Sequence, residues 1–132
     1  MLALLDAAKE ARKNAYAPYS GYKVGAAVLD DRGRIHSGCN VENASFGATI
    51  CAERNAIARM IAEGGKEVKA AAVLTEDGGT PCGLCLQVLS EFATDPARVE
   101  VLCAATDGTQ KTFKLSELMP HPFRTDELKR TT

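Results

Sequence analysis

Cys51, Cys82 and Cys85 are the residues whose types and spacing could do chemistry together, and Glu53 stands two residues beyond the first of them. Three thiolates can hold one zinc ion and leave its fourth tetrahedral position open for water, the arrangement of a catalytic rather than a structural site. A carboxylate that is not a ligand, placed beside that water, is a proton shuttle. The pair Cys82-x-x-Cys85 has the i, i+3 spacing that brings two sulfurs to one point at a helix start.

The thiols must ionise, because a protonated thiol is a poor ligand. A helix N-terminus favours ionisation through its free N–H groups and partial positive charge. The chain therefore needs elements that deliver both cysteine clusters at helix starts. Three thiolates on Zn²⁺ leave a local charge of −1 and weaken the ion as a Lewis acid. Arg54, next to Glu53, is the side chain expected to offset that charge by donating to sulfur.

A structural zinc site would want a fourth Cys or His. Cys39 and Cys103 each stand alone in a strand-like run, so neither is expected to bind metal. His36 and His121 are also isolated in the sequence and are expected to be surface or structural residues.

The elements around these residues follow from periodicity. Residues 2–16 read as an amphipathic helix, with Leu4, Ala8, Ala11 and Ala15 on one face. The run 22–29 predicts a buried strand, and Asp30-Asp31-Arg32-Gly33 a hairpin turn into a second strand over 34–39. A helix is expected over 51–62, stopped by Gly64-Gly65, and a strand over 68–75. Pro81 introduces a helix over 82–92, followed by strands at 99–105 and 110–115 and a helical turn at 115–118. The tail, 119–132, reads as partly extended. These elements predict an α/β fold: one domain over 1–132, with a mixed five-stranded sheet and helices on both faces.

Composition sets bounds on function. The chain has 132 residues, 45% of them hydrophobic and 25% charged, which suits one globular domain with a real core. A net charge of −1 argues against a broad nucleic-acid footprint. Asp6, Lys9, Glu10 and Arg12 interrupt the apolar residues of the first helix, unlike a secretory leader, and no stretch approaches a membrane span. Five cysteines, an odd number, fit metal chemistry in a reducing cytoplasm better than a disulfide framework.

The chain resembles the small zinc-dependent cytidine deaminases over nearly its whole length. The resemblance rests on Ala17-Pro18-Tyr19-Ser20, Val24-Gly25-Ala26-Ala27, the run from Gly38 to Ser45, Cys51-Ala52-Glu53-Arg54, Pro81-Cys82-Gly83-Leu84-Cys85 and Pro120-His121-Pro122-Phe123. Polynucleotide-editing deaminases usually carry His where Cys51 stands. The resemblance implies a three-layer αβα sandwich and a homotetramer whose active sites borrow residues from neighbouring subunits. It also implies that cytidine or 2′-deoxycytidine is converted to the uridine nucleoside and ammonia, as in pyrimidine salvage. Carried over by position, Cys51, Cys82 and Cys85 hold one Zn²⁺. Glu53 moves a proton from water to N3 of the base and later helps ammonia leave. Asn40 and Glu42 grip the ribose hydroxyls, and the backbone around Ala52 and Cys82 reads the pyrimidine edge. Tyr22 lies against the base, and Phe123 reaches over the pocket from another subunit.

Simpler readings compete for some of these positions. Asn40 and Glu42 suit a turn, and Tyr22 and Phe123 suit a core. Four residues depart from the family pattern: Leu86 for a common Arg, Tyr22 for Phe, Phe46 for Tyr, and Ala48 for a larger aliphatic. The small side chain at Ala48 predicts some tolerance for substituted cytidines. The nearest rival is a blasticidin S deaminase type of enzyme, disfavoured by the ribose motif Asn40-Val41-Glu42-Asn43. A structural zinc module binding nucleic acid is disfavoured by Glu53 and by the net charge.

Overall fold

A computed structural model describes residues 1–124. Its elements are α1 (Leu2–Arg12), β1 (Gly25–Asp30), β2 (Ile35–Cys39), a 3₁₀ turn (Phe46–Ala48), α2 (Ala52–Ala62), β3 (Val68–Thr75), α3 (Gly83–Glu91), a second 3₁₀ turn (Pro96–Arg98), β4 (Glu100–Ala105), β5 (Gln110–Lys114) and α4 (Leu115–Leu118). The five strands form one sheet in the order β2-β1-β3-β4-β5. Only β3 and β4 pair in parallel; the other neighbours are antiparallel. The expected mixed sheet is present, and the part of the tail beyond residue 124 lies outside the described residues.

Strand alternation divides the core in two. Ala27, Ala72, Leu102 and Ala104 face α1 through Leu4 and Ala8. Val28, Ala71, Val101 and Cys103 face the other way, against Ile57 and Met60 of α2 and Leu86 and Leu89 of α3. The result is the three-layer αβα sandwich. Burying a side chain such as Ile57 or Leu89 contributes roughly 1.5–3 kcal/mol, so both layers are held mainly by apolar contact.

Two boundaries differ from the sequence expectation by three residues or more, and hydrogen bonding explains both. The first helix ends at Arg12, not residue 16. The chain then leaves to bridge its neighbour, Tyr16 N–H donating to Asn40 O at 3.0 Å and Glu42 N–H to Tyr16 O at 2.9 Å. The first strand begins at Gly25, not residue 22. Residues 22–24 are held instead by the Asn40 side chain, which accepts from Val24 N–H at 2.9 Å and donates to Tyr22 O at 2.8 Å.

His36 corrects a further expectation, because it is not isolated. It is buried, with Nε2 2.7 Å from Asp30 Oδ2 and Nδ1 2.7 Å from Glu63 Oε1. This bridge ties the β1–β2 hairpin to the C-terminal end of α2. His121, by contrast, is exposed.

Candidate active site

Cys51 is the N-cap of α2, and Cys82 is the N-cap of α3. Pro81 is buried and directly precedes Cys82, the N-cap of α3. Cys85 follows in the first turn and is fully buried. Cys51 Sγ lies 4.0 Å from Cys82 Sγ, and Cys82 Sγ lies 3.6 Å from Cys85 Sγ. All three sulfurs fall within 4.8 Å of one another. Tetrahedral zinc with bonds near 2.3 Å would set neighbouring sulfurs about 3.8 Å apart. The donor set therefore fits a zinc ion with little movement. Cys39 and Cys103 remain outside the cluster, as expected.

The electrostatics suit ionised sulfur at Cys51. Its thiol is drawn down to about 5, chiefly by the hydrogen bond from Cys85, with Arg54 acting in the same direction. Arg54 Nη2 lies 3.5 Å from Cys51 Sγ and also donates to Thr49 O at 3.3 Å. Cys85 is pushed up, because its proton is shared with Cys51 and because it is buried. A metal ion would displace that proton and make all three sulfurs ligands.

Glu53, in the first turn of α2, is 6% exposed. Burial pushes its carboxyl up to about 7, against a backbone hydrogen bond that lowers it. A carboxyl that can hold or release a proton near neutrality is what a proton shuttle requires. A nearby divalent cation would favour its ionised form.

A cavity of about 220 Å³ opens beside the sulfurs. Cys51, Ala52, Glu53 and Cys82 line it together with Ser20, Tyr22, Asn40 and Glu42. Ala52, the first residue of α2, has a backbone N–H with no acceptor inside the helix. A larger hollow of about 300 Å³ beside Lys9 and Arg12 contains none of the predicted site residues.

Sequence reasoning missed how Glu42 and Tyr22 are held. Glu42 accepts from Tyr19 N–H at 2.9 Å, from Ser20 N–H at 3.1 Å and from the Ser20 hydroxyl. These bonds, the Ser20 hydroxyl foremost, hold the Glu42 carboxyl below its ordinary value. The Tyr22 hydroxyl donates to Asp77 Oδ1 at 2.7 Å, across 55 residues of sequence. The only sequence signal for that bond was the hydroxyl on a residue expected to be Phe.

Phe123 does not line its own chain's cavity. Its ring is 76% exposed, and its backbone is tied to Gln87 by bonds of 2.8 and 3.2 Å. Ala48 is exposed and also lies outside the lining of the chain's own cavity. Leu86 is buried in the core beneath α3, while Phe46 is exposed and meets Tyr19 edge-on at 5.9 Å.

Comparison with known proteins agrees with this geometry. Residues 2–103 match the family described as the cytidine and deoxycytidylate deaminase zinc-binding region. A cytidine deaminase from Halalkalibacterium halodurans is 40% identical over 127 residues, covering 95% of each chain. The crystal structure of a cytidine deaminase from Burkholderia pseudomallei superposes with a TM-score of 0.85 at 43% identity, covering 92% of this chain and 98% of that one. That of the Mycobacterium tuberculosis cytidine deaminase gives 0.80 at 36% identity, covering 94% and 97%. With three sulfurs gathered at two helix starts and a family match across most of its length, this chain belongs to the zinc-dependent cytidine and deoxycytidylate deaminases.

Proposed function

We propose that this protein converts cytidine or 2′-deoxycytidine and water to the corresponding uridine nucleoside and ammonia, in pyrimidine salvage. The observation that carries this reading is Glu53, buried beside three convergent sulfurs in a cavity that Asn40 and Glu42 also line.

Bound zinc supplies the Lewis acid that makes water acidic near neutral pH. The chain's own residues do the rest. Glu53 takes a proton from the attacking water and delivers it to N3 while a C–O bond forms at C4. The C4–N4 bond then breaks, and the second proton of the water leaves with the amine as ammonia. Glu42 accepts from a sugar hydroxyl, the free N–H of Asn40 donates to one, and the Tyr22 ring packs along the base. The backbone N–H of Ala52 meets the pyrimidine edge. Arg54 offsets the negative charge of the three sulfurs. The neutral substrate matches a cavity with few charges.

The whole chain acts as one catalytic domain in this reading, since the sheet runs from β1 to β5 across both cysteine clusters. Self-association as a homotetramer is supported by the exposed rings of Phe123 and Phe46 and by Leu84, 66% exposed beside the metal ligands. In such an assembly Phe123 covers a neighbour's cavity. No helix among the described residues is long and apolar enough to cross a membrane, which is compatible with a cytoplasmic enzyme acting on a free nucleoside.

The test is the loss of absorbance at the cytosine band on incubation with cytidine, deoxycytidine, cytosine, CMP and blasticidin S. Both nucleosides should turn over, and Glu53→Ala should lose at least about a hundredfold in kcat while keeping its zinc. Full turnover by Glu53→Ala, or a zinc-loaded wild type inert toward both nucleosides, would reject the reading.

A further inference from the structure

The segment from Glu76 to Thr80 contributes Gly79 and Thr80 to the cavity wall and leads through Pro81 into Cys82. It contains Gly78 and Gly79 in succession, and Gly78 adopts φ +79°. Two adjacent glycines lose much backbone freedom on folding, so this wall needs specific anchors. Thr75 Oγ1 accepts from Gly78 N–H at 2.7 Å and Gly79 N–H at 3.1 Å. Asp77 Oδ1 accepts from Gly79 N–H at 3.1 Å and from the Thr75 hydroxyl at 3.3 Å. Those four bonds are local. Two long-range bonds join them: the Thr106 hydroxyl donates to Glu76 O at 3.4 Å, and the hydroxyl of the cavity-lining Tyr22 donates to the same Asp77 oxygen at 2.7 Å.

Tyr22 is held from the other side as well. Its N–H donates to Ser20 Oγ at 3.0 Å, and its carbonyl accepts from Asn40. Ser20 in turn donates to Glu42. A continuous strap thus runs from the Glu42 carboxylate, through Ser20 and Tyr22, to Asp77 on the segment that delivers an exposed metal ligand. Phenylalanine at position 22 would present the same ring and break the strap at one atom.

We propose that Asp77 is a positioning residue for deamination. Acting through the Tyr22 hydroxyl, it locks the glycine-bearing wall and its Cys82 end against the sugar-binding side, so that the cavity is formed before substrate arrives. Asp77 itself touches neither metal nor nucleoside. The charge-assisted bond favours one wall position over the alternatives open to a Gly-Gly segment, and preformed geometry lowers the ordering cost of binding. Its removal weakens substrate binding more than the chemical step. The catalytic part of this inference rests on the deaminase reading above.

The experiment is a double-mutant cycle on the zinc-loaded, full-length protein: wild type, Tyr22→Phe, Asp77→Ala and the double variant, with Asp77→Asn as the conservative control. KM and kcat for cytidine are measured, together with the rate of zinc loss to a chelator. Each single variant should raise KM about three- to tenfold with a smaller change in kcat, and each should speed zinc loss. The double variant should be no worse than the poorer single one, because both remove the same bond. Asp77→Asn, which keeps an acceptor oxygen but not its charge, should fall between wild type and Asp77→Ala. Single-variant effects that multiply, or KM and zinc loss both within twofold of wild type in both singles, would overturn the proposal. A zinc-loaded wild type that leaves cytidine intact would reject the deaminase reading instead. The zinc-loss cycle would then still decide whether the strap holds Cys82.

Discussion

Arg54 Nη2 lies 3.5 Å from Cys51 Sγ while the same nitrogen donates to the backbone of Thr49. One guanidinium therefore bonds to a metal-ligand sulfur and to the loop that precedes it. The charge it supplies matters because three thiolates overcompensate a divalent cation. Arg54→Ala should lose zinc to a chelator about tenfold or more faster and lower kcat by a similar factor, the usual cost of removing an outer partner of a ligand. Unchanged zinc retention and turnover would show that the helix dipoles suffice.

Zinc removal should destabilise the fold as well as stop the reaction. The three sulfurs join the starts of α2 and α3, so an ion bound there favours only the folded chain. Chelation is expected to lower Tm by at least about 5 °C, and added zinc, but not magnesium, should restore it. Calorimetry with and without chelator checks this; equal Tm values would mean that the site carries no folding energy.

Gly38 is a packing constraint behind the same helix. A Cβ there would lie 2.6 Å from Ala56 N and 2.8 Å from Ala52 O, both backbone atoms of α2. Gly38→Ala must push α2 away from β2, at a cost of about 1–3 kcal/mol. Because Cys51 and Glu53 travel with that helix, zinc affinity should fall in parallel. A urea midpoint equal to that of wild type would contradict the packing argument.

The buried bridge at the other end of α2 sets an acid limit. Burial alone would raise the Asp30 carboxyl, but bonds from His36, from the backbone of Arg34 and Arg32 and from the Arg34 side chain outweigh it and hold it well below the usual range. The unfolded chain, with an ordinary carboxyl near about 3.9, therefore takes up the proton first. Stability from this group is complete above that value and is lost as pH falls below it, toward the folded pKa. Glu63, lowered chiefly by its bond with His36, adds to the same trend. In His36→Gln the Tm profile between pH 5 and pH 3 should be flatter than in wild type. Parallel profiles would show that the bridge has no part in acid stability.

The Cys82 and Cys85 pair was legible in the sequence because its determinants are local: the two meet by helical spacing, and Pro81 marks the helix start, whereas Cys51, 31 residues from Cys82, joins them only through the tertiary fold. Glu53 and Arg54 were legible for the same reason, each within three residues of Cys51. The sandwich followed from the periodicity of short apolar runs such as Val68–Thr75 and from the hairpin turn at Gly33.

Long-range polar bonds were not legible, because a side chain's partner depends on where the sheet and loops set it down. Asn40 looked like a sugar ligand or a turn residue. In the fold its amide also holds Tyr22 and Val24, which is why the first strand starts late. His36 looked isolated until strand pairing and helix packing brought Asp30 and Glu63 to its two nitrogens. Tyr22 and Asp77 carry no mark of each other over 55 residues, and only the closed cavity makes them partners. By itself the sequence paired Cys82 with Cys85 and set Glu53 and Arg54 beside Cys51, because helical spacing is a property of neighbouring residues. Only the tertiary structure decided how the cavity around them is braced, because hydrogen bonds between distant loops exist only after the hydrophobic layers have packed.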